Sequence, residues 1–309
     1  MLFRTVFYPF VAIAIFACLP LSPAAQESFS QHEELAWRTQ HATDLQKPDG
    51  WLSLVGLEWL EPGETSIGSA QDNKIHLPST APAHIGILKL ENNAVTLWPP
   101  KEGFPSGLQI DGSPAKQLSL RADQDKDKFN SHVTMGTINF YVIKRADKFA
   151  LRIKDAKSPS LLEFHGLKWF ELSPEYRVTA KWTPYVPAKS VSLLTLVGTE
   201  YSEPVPGFAE FTLQGKTFRL EPVLEDPSNP KLFFILRDTT STETTYPACR
   251  FLYTTFPNHG VDQPGELLLD FNHLENPPCA YTPYATCPLP PAGNRLPIAL
   301  PVGEQRYHK

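Results

Sequence analysis

WLSLVGLEWL (51–60), EPGE (61–64), TSIGS (65–69), NKIHLP (73–78), IGILKLE (85–91), NNAVTLW (92–98) and GLQIDGSP (107–114) follow one another along the chain. Apolar runs of about five to seven residues, broken by turn signals, predict small antiparallel strands stacked as a β-sandwich or barrel. The dipeptides Asn92–Asn93 and Asp111–Gly112 mark two of the tight turns, because Asn, Asp and Gly tolerate positive φ.

Composition agrees with this reading. Hydrophobic residues make up 41% of the 309 positions and charged residues 20%, as in an ordinary globular protein of two units. Thirty-one prolines, about twice the usual ~5%, are spread through the chain and exclude long helices. The formal net charge of -5, with no cluster of Lys and Arg, excludes nucleic acid as a partner.

Ahead of the strands, Arg4 precedes an uncharged apolar run from Val6 to Leu21 that ends at Ser22, Pro23 and Ala24. The run is too short for a permanent membrane helix and reads as an export signal over residues 1–24, cleaved before Ala25. Ile15, Phe16, Ala17 and Cys18 offer a rival in which Cys18 is lipidated, the single route by which this chain would meet a membrane. Either way the expected location is periplasmic or secreted. Ser30 and Glu33 have capping-box spacing and predict a helix through Leu45, with Leu35, Ala36 and Trp37 available for docking, in a lead-in over 25–50.

Ile67, Gly68, Ser69, Asp72 to Pro78, His84 and Gly86 resemble the first half of a forkhead-associated (FHA) domain, a β-sandwich whose best-known form binds phosphothreonine. The scaffold, expected over 51–120, is what this resemblance implies. Ser69 replaces the arginine that follows the glycine, and Ala81 replaces the serine three before the histidine. Without the guanidinium fork the phosphate-binding activity does not carry over. His76 and His84 then read as locally satisfied turn or strand residues.

RADQDKDK (121–128) has mixed charge and no apolar periodicity, and is the expected boundary between the two units. Ten β-like runs follow, from TINFYVIKR (137–145) to ELLLDFN (266–272), more than one flat sheet accommodates, so a second β-rich unit, barrel or sandwich, is expected over 129–309. In FALRIKD, Phe149, Leu151 and Ile153 share one face and Arg152 and Lys154 the other. If RFLYTTF (250–256) and ELLLDFN form a hairpin, Arg250 lies opposite Asn272 and diagonal to Asp270, with Asp238 and the hydroxyl-rich TTSTETTY (239–246) at the same end.

Such a cluster is either a buried ion pair that fixes register or a pocket for a polar ligand. Arg152, Asp238, Tyr246, Arg250, Asp270, Asn272 and Asn276 are the candidate ligand-binding residues for a small polar or peptide-like molecule. The alternative is a hydrolase with Asp270 as general base and Arg250 or Asn272 stabilising developing negative charge. No Gly-rich phosphate loop, G-x-S-x-G elbow, HExxH helix or C-x-x-C pair is present, so no cofactor is expected. Cys279 and Cys287 are candidates for a disulfide in an exported protein, with free thiols as the alternative; their spacing fits a metal site with His273 poorly, and no metal is expected.

DFN (270–272), NPPCA (276–280), CPLPP and GNRL (287–296), with WLSLVGLEWL, VIKR, LRIKD and the Asp238–Arg250 region, resemble the bacterial domain-of-unknown-function 1684 family. The resemblance spans about Asp49 to Glu304. The family's pattern matches at Arg152, Asp155, Asp238, Tyr246, Arg250, Asp270, Asn272, Asn276, Pro277, Cys279, Cys287 and Asn294, and departs at Cys249, where a glycine is usual. It implies no activity that can be carried over.

Overall fold

The computed structural model describes residues 29–123, 129–225 and 230–307; the expected export signal with Cys18 and Ala25 lies outside them, as does most of the charged stretch after Asp123. The chain is mainly β. Helix α1 (Gln31–Leu45) opens it, capped by the Ser30 hydroxyl, which accepts from the Glu33 N–H at 3.4 Å.

Eleven strands build the first unit: β1 (Leu54–Trp59), β2 (Gly63–Gly68), β3 (Ile75–His76), β4 (Gly86–Glu91), β5 (Ala94–Trp98), β6 (Gln109–Ile110), β7 (Ser113–Pro114), β8 (Leu118–Leu120), β9 (His132–Met135), β10 (Ile138–Arg145) and β11 (Lys148–Asp155). They form two sheets, ordered β1-β11-β10-β9-β6-β7 and β3-β2-β4-β5-β8. Ile67, Leu88 and Leu97 of one sheet pack with Phe140, Leu151 and Ile153 of the other, a sandwich held by alternating inward residues. Both expected turns form, with Asn92, Asn93, Asp111 and Gly112 all at positive φ.

One expectation changes here. His132 to Asp155 was assigned to the second unit, yet β9, β10 and β11 lie between β6 and β1 in the first sheet. The expected boundary at 121–128 therefore falls between strands of one sheet, and the sandwich closes at Asp155. A strand's partner depends on long-range pairing that local charge does not report.

The second face of that sheet is buried as well. Tyr141, Ile143 and Ala150 form a separate apolar patch with Leu57, and Arg152 and Lys154 continue the same face. Seven of the eight β11 residues are consequently buried, because the second unit covers what an ordinary sandwich leaves to solvent.

That unit contains β12 (Arg177–Leu194), β13 (Glu200–Leu213), β14 (Lys216–Leu220), β15 (Lys231–Leu236), β16 (Arg250–Thr255) and β17 (Gly265–Asp270). The sheets are β14-β13-β12-β17 and the pair β15-β16, so the unit is not a closed barrel. RVTAKW and VSLLTLV are one long strand, whose register against β13 shifts between Pro184 and Lys189, where prolines interrupt the ladder. LLEFHGLKWF is not a strand: it starts in a short helix, α2 (Pro159–Leu162), and runs irregularly past Gly166, which has φ +96°.

From Phe271 the chain wraps this unit irregularly. Leu274, Leu296, Ile298, Leu300 and Val302 sink into its core. The Asn294 side chain fastens the wrap, donating to the carbonyls of Glu221 (2.8 Å) and Ile235 (3.0 Å) while accepting from the Glu221 N–H (2.9 Å).

Helix α1 docks on this wrap through charge and rings. Leu35, expected to dock, is 48% exposed, whereas Glu34 and Leu45 are buried. Glu34 reaches His273 at 2.8 Å and Arg177 at 3.6 Å; Trp37 stacks on His273 and His41, and the Arg38 guanidinium sits over Trp169. His41 lies 3.3 Å from Glu275 and 3.5 Å from Glu304. Burial opposes the His41 charge, but the Glu304 hydrogen bond and the Glu275 and Glu304 charges outweigh it and raise its pKa. Burial pushes Glu275 up to about 7, the His41 charge opposing and Glu304 reinforcing the shift.

Both groups hold their protons more tightly folded than unfolded. Their contribution is present at acid pH and is lost as pH rises, for Glu275 between its ordinary 4.5 and about 7, for His41 above its ordinary 6.5. Stability is expected to fall by about 2 kcal/mol between pH 5.5 and pH 8.5, a drop of several degrees in Tm. Scanning calorimetry across that range checks it, and Glu275→Gln, which removes the group with the larger shift, should flatten the profile; a Tm that rises over the same interval contradicts it.

A candidate ligand pocket between the two units

A cavity of about 390 Å³ lies where the outward face of β11 meets the second unit. Arg152 projects into it because period-2 alternation turns Phe149, Leu151 and Ile153 into the sandwich core and leaves the even positions facing out. Trp51 stands beside it, on the turn that leads into β1. Opposite are Tyr201 and Glu203, two apart on β13, then Glu225, and the aromatic pair Phe233 and Tyr253, which face each other across β15 and β16. Phe233 stacks on Tyr253 at 4.7 Å and meets Phe251 edge-on at 4.7 Å. Thr286, Cys287 and Pro288 of the wrap close one side.

The polar groups of this cavity are unevenly satisfied. Arg145 and Asp123 neutralise one another at 2.8 Å. Arg152 does not find such a partner: it is 6% exposed, donates to the Tyr141 hydroxyl at a long 3.5 Å, has no partner for Nε, and otherwise rests on the rings of Trp51 and Tyr141. Among the described residues no carboxylate lies within 4.0 Å of it. Lys154, on the same face, donates to the Asp49 carbonyl and is pushed down to about 8, mainly by burial, with Asp49 opposing and Arg152 adding to the shift. Glu225 is exposed at the rim, its pKa raised by partial desolvation and then by the Glu203 charge, with Arg145 pulling the other way. Among the described residues this buried cation is thus compensated by ring faces and one phenol, not by a carboxylate.

The other sequence candidates lie elsewhere. Arg250 and Asp238 form a fully buried pair at 2.7 Å, and Arg250 also donates to the carbonyls of Leu300 (2.9 Å) and Val302. Asp238 Oδ1 accepts from the Thr240 N–H and hydroxyl and from the Leu300 N–H. The expected hairpin does not form: β16 pairs with β15, and β17 with β12, so Asp270 stands opposite Arg177 instead of near Arg250. Asp270 is buried, its Oδ1 accepting from the Asn272 N–H and side-chain amide, its Oδ2 3.3 Å from Arg177. Burial raises its pKa, the Asn272 hydrogen bond opposing and the Glu34 charge reinforcing.

Asn272 clips both backbone groups of Ser173 at 2.9 Å. Asn276 binds Glu304, and the Tyr246 hydroxyl donates to the Cys279 carbonyl at 3.1 Å. Cys279 and Cys287 are free thiols and not a disulfide, the Cys279 N–H donating to Cys287 Sγ at 3.1 Å. His273 serves Glu34 instead of a cysteine-based metal site. Glu34, Asp270 and His273 offer ligand atoms within 4.8 Å of one another, but Arg177 already supplies the positive charge there.

Of the predicted set, the cavity therefore keeps Arg152 alone. Trp51, Tyr201, Glu203, Glu225, Phe233, Phe251 and Tyr253 were not anticipated. A Tyr–x–Glu pair inside a strand was the one available signal, since Tyr201 and Glu203 must share a face.

Residues 162–305 match the family described as Protein of unknown function (DUF1684). An uncharacterized protein from Haloarcula marismortui, solved by NMR, is 30% identical, with 46% of this chain and 77% of that one covered and a TM-score of 0.40. The chain belongs to the DUF1684 family. The match is narrower than the expected span from Asp49, so Arg152 and Asp155 fall outside it. The FHA domain of FhaA, solved in complex with the intracellular domain of Rv3910, is 15% identical over 32% of this chain and 97% of its own, with a TM-score of 0.21, too slight a likeness to carry an argument. No curated protein matches.

The two positions that depart from the FHA pattern bond each other, the Ser69 hydroxyl donating to the Ala81 carbonyl at 2.7 Å. His76 contacts the Gln71 carbonyl, and His84 lies 3.8 Å from Asp72.

Proposed function

We propose that this DUF1684 protein is exported and binds a small polar, peptide-like ligand in the cavity between its two units. The observation that carries the reading is Arg152, a buried guanidinium with no carboxylate within 4.0 Å among the described residues. An anionic group entering the cavity supplies the missing charge and can take two N–H donors at once. Ring faces around it provide apolar contact, the usual composition of a ligand site. Export, by cleavage before Ala25 or lipidation of Cys18, rests on residues 1–24 alone. The buried, hydrogen-bonded setting of Asp270 gives the hydrolase alternative no support.

A thermal-shift screen of the purified chain against small carboxylates, phosphates, sugars, amino acids and short peptides tests the binding reading. At a hundred times Kd a ligand stabilises by about 2.7 kcal/mol, a shift of several degrees. At least one anionic compound is expected to give such a shift, and Arg152→Met should abolish it while the ligand-free protein stays folded. A panel without a single shift, or a shift that survives Arg152→Met, refutes the assignment. Fractionation of expressing cells tests export separately.

A further inference from the structure

Building on that reading of the cavity, we infer that its ligand is a zwitterion of the α-amino-acid type with a large apolar side chain. The carboxylate is held by Arg152, the ammonium by Glu225 and Glu203, and the side chain lies on Phe233, Phe251 and Tyr253. The cavity is dipolar. Its cationic wall comes from the sandwich, on β11, and its acidic wall from the second unit, on β13 and at Glu225. A simple anion satisfies the first wall and adds to the charge already on the second; a simple cation does the reverse. A molecule with both charges serves both walls.

The volume fits. About 390 Å³ accommodates an amino acid and excludes a long peptide. Two carboxylates, Glu203 and Glu225, make up the acidic wall. Glu225 faces Glu203 and Tyr201 from β13, Tyr253 from β16, and Arg145 from β10, the last already committed to Asp123. Glu225 is exposed at the rim of the cavity, where desolvation and then the Glu203 charge raise its pKa against the pull of Arg145. An incoming ammonium favours the carboxylate form, so binding expels the carboxyl proton. Ring faces at Tyr201 and Tyr253 add a cation–π attraction.

The test compares phenylalanine with N-acetylphenylalanine, which keeps the anion alone, and phenylalanine amide, which keeps the cation alone, by calorimetric titration of the full chain. Phenylalanine is expected to bind at least tenfold more tightly than either, more tightly at pH 8 than at pH 6, and with proton release revealed by buffers of different ionisation enthalpy. Glu225→Gln should cost phenylalanine at least tenfold and leave N-acetylphenylalanine unchanged. Equal binding of phenylalanine and N-acetylphenylalanine would show an anion pocket and overturn the zwitterion. Absence of phenylalanine binding in a protein that responds to other small anions overturns this inference while the pocket stands. If no anion binds at all, both fall.

Discussion

Arg250→Met is expected to destabilise the protein by about 3–5 kcal/mol, the cost of removing one partner of a buried ion pair. The loss comes from what remains behind. Asp238 keeps its carboxylate at a position without solvent access, and the carbonyls of Leu300 and Val302 lose the guanidinium that received them. The pair joins the turn after β15 to the wrap, so the effect should spread to the packing of Leu296 to Val302. Urea denaturation measures it as a lower midpoint. The double variant Arg250→Met with Asp238→Leu should recover part of the loss, because no charge is then left buried alone. A single variant that costs under about 1 kcal/mol, the range of an exposed pair, would contradict the structural role.

Glu304→Ala has the second large effect, a loss of about 3–5 kcal/mol, since each buried donor stripped of its acceptor costs about 1–3 kcal/mol. The carboxylate accepts from the Asn276 N–H (2.8 Å) and side-chain amide (2.7 Å) and from the Tyr281 hydroxyl (2.7 Å). His41 approaches the same group from α1. Two consequences separate this variant from a generic core defect: α1 should become a site of limited proteolysis, and the acid-side stability maximum set by His41 should weaken. Glu304→Gln, which keeps one acceptor, should lose less than half as much. An unaltered Tm for Glu304→Ala, or a helix that resists proteolysis in it, would refute the role.

The strands of the first unit were legible because their alternation and turn residues are local. Asn92–Asn93 and Asp111–Gly112 turn where they should, and the division of β11 into a Phe149–Leu151–Ile153 face and an Arg152–Lys154 face is what the structure shows. The Arg250–Asp270 cluster failed for a physical reason. Strands adjacent in sequence usually pair, and β16 and β17 looked like such neighbours, yet β12 occupies the edge of β17 and brings Arg177 to Asp270. Arg250 then takes Asp238 from the preceding strand's end.

The cavity was illegible for a related reason. Tyr201, Phe233 and Tyr253 read as ordinary strand aromatics until β11 is placed against them. Helix docking was legible in part: Trp37 docks as expected, whereas Leu35 stays exposed and the polar Glu34 and His41 complete the contact.

The strand β11 serves two neighbours, one on each side of its sheet, and the stretch matched to the family begins after it, at residue 162. What the family match delimits is therefore half of a socket: an aromatic bowl with acidic residues and no guanidinium. Recognition in the proposed sense belongs to the junction of the two units. A fragment limited to residues 162–305 would keep the aromatic and acidic residues of the cavity and lose Arg152.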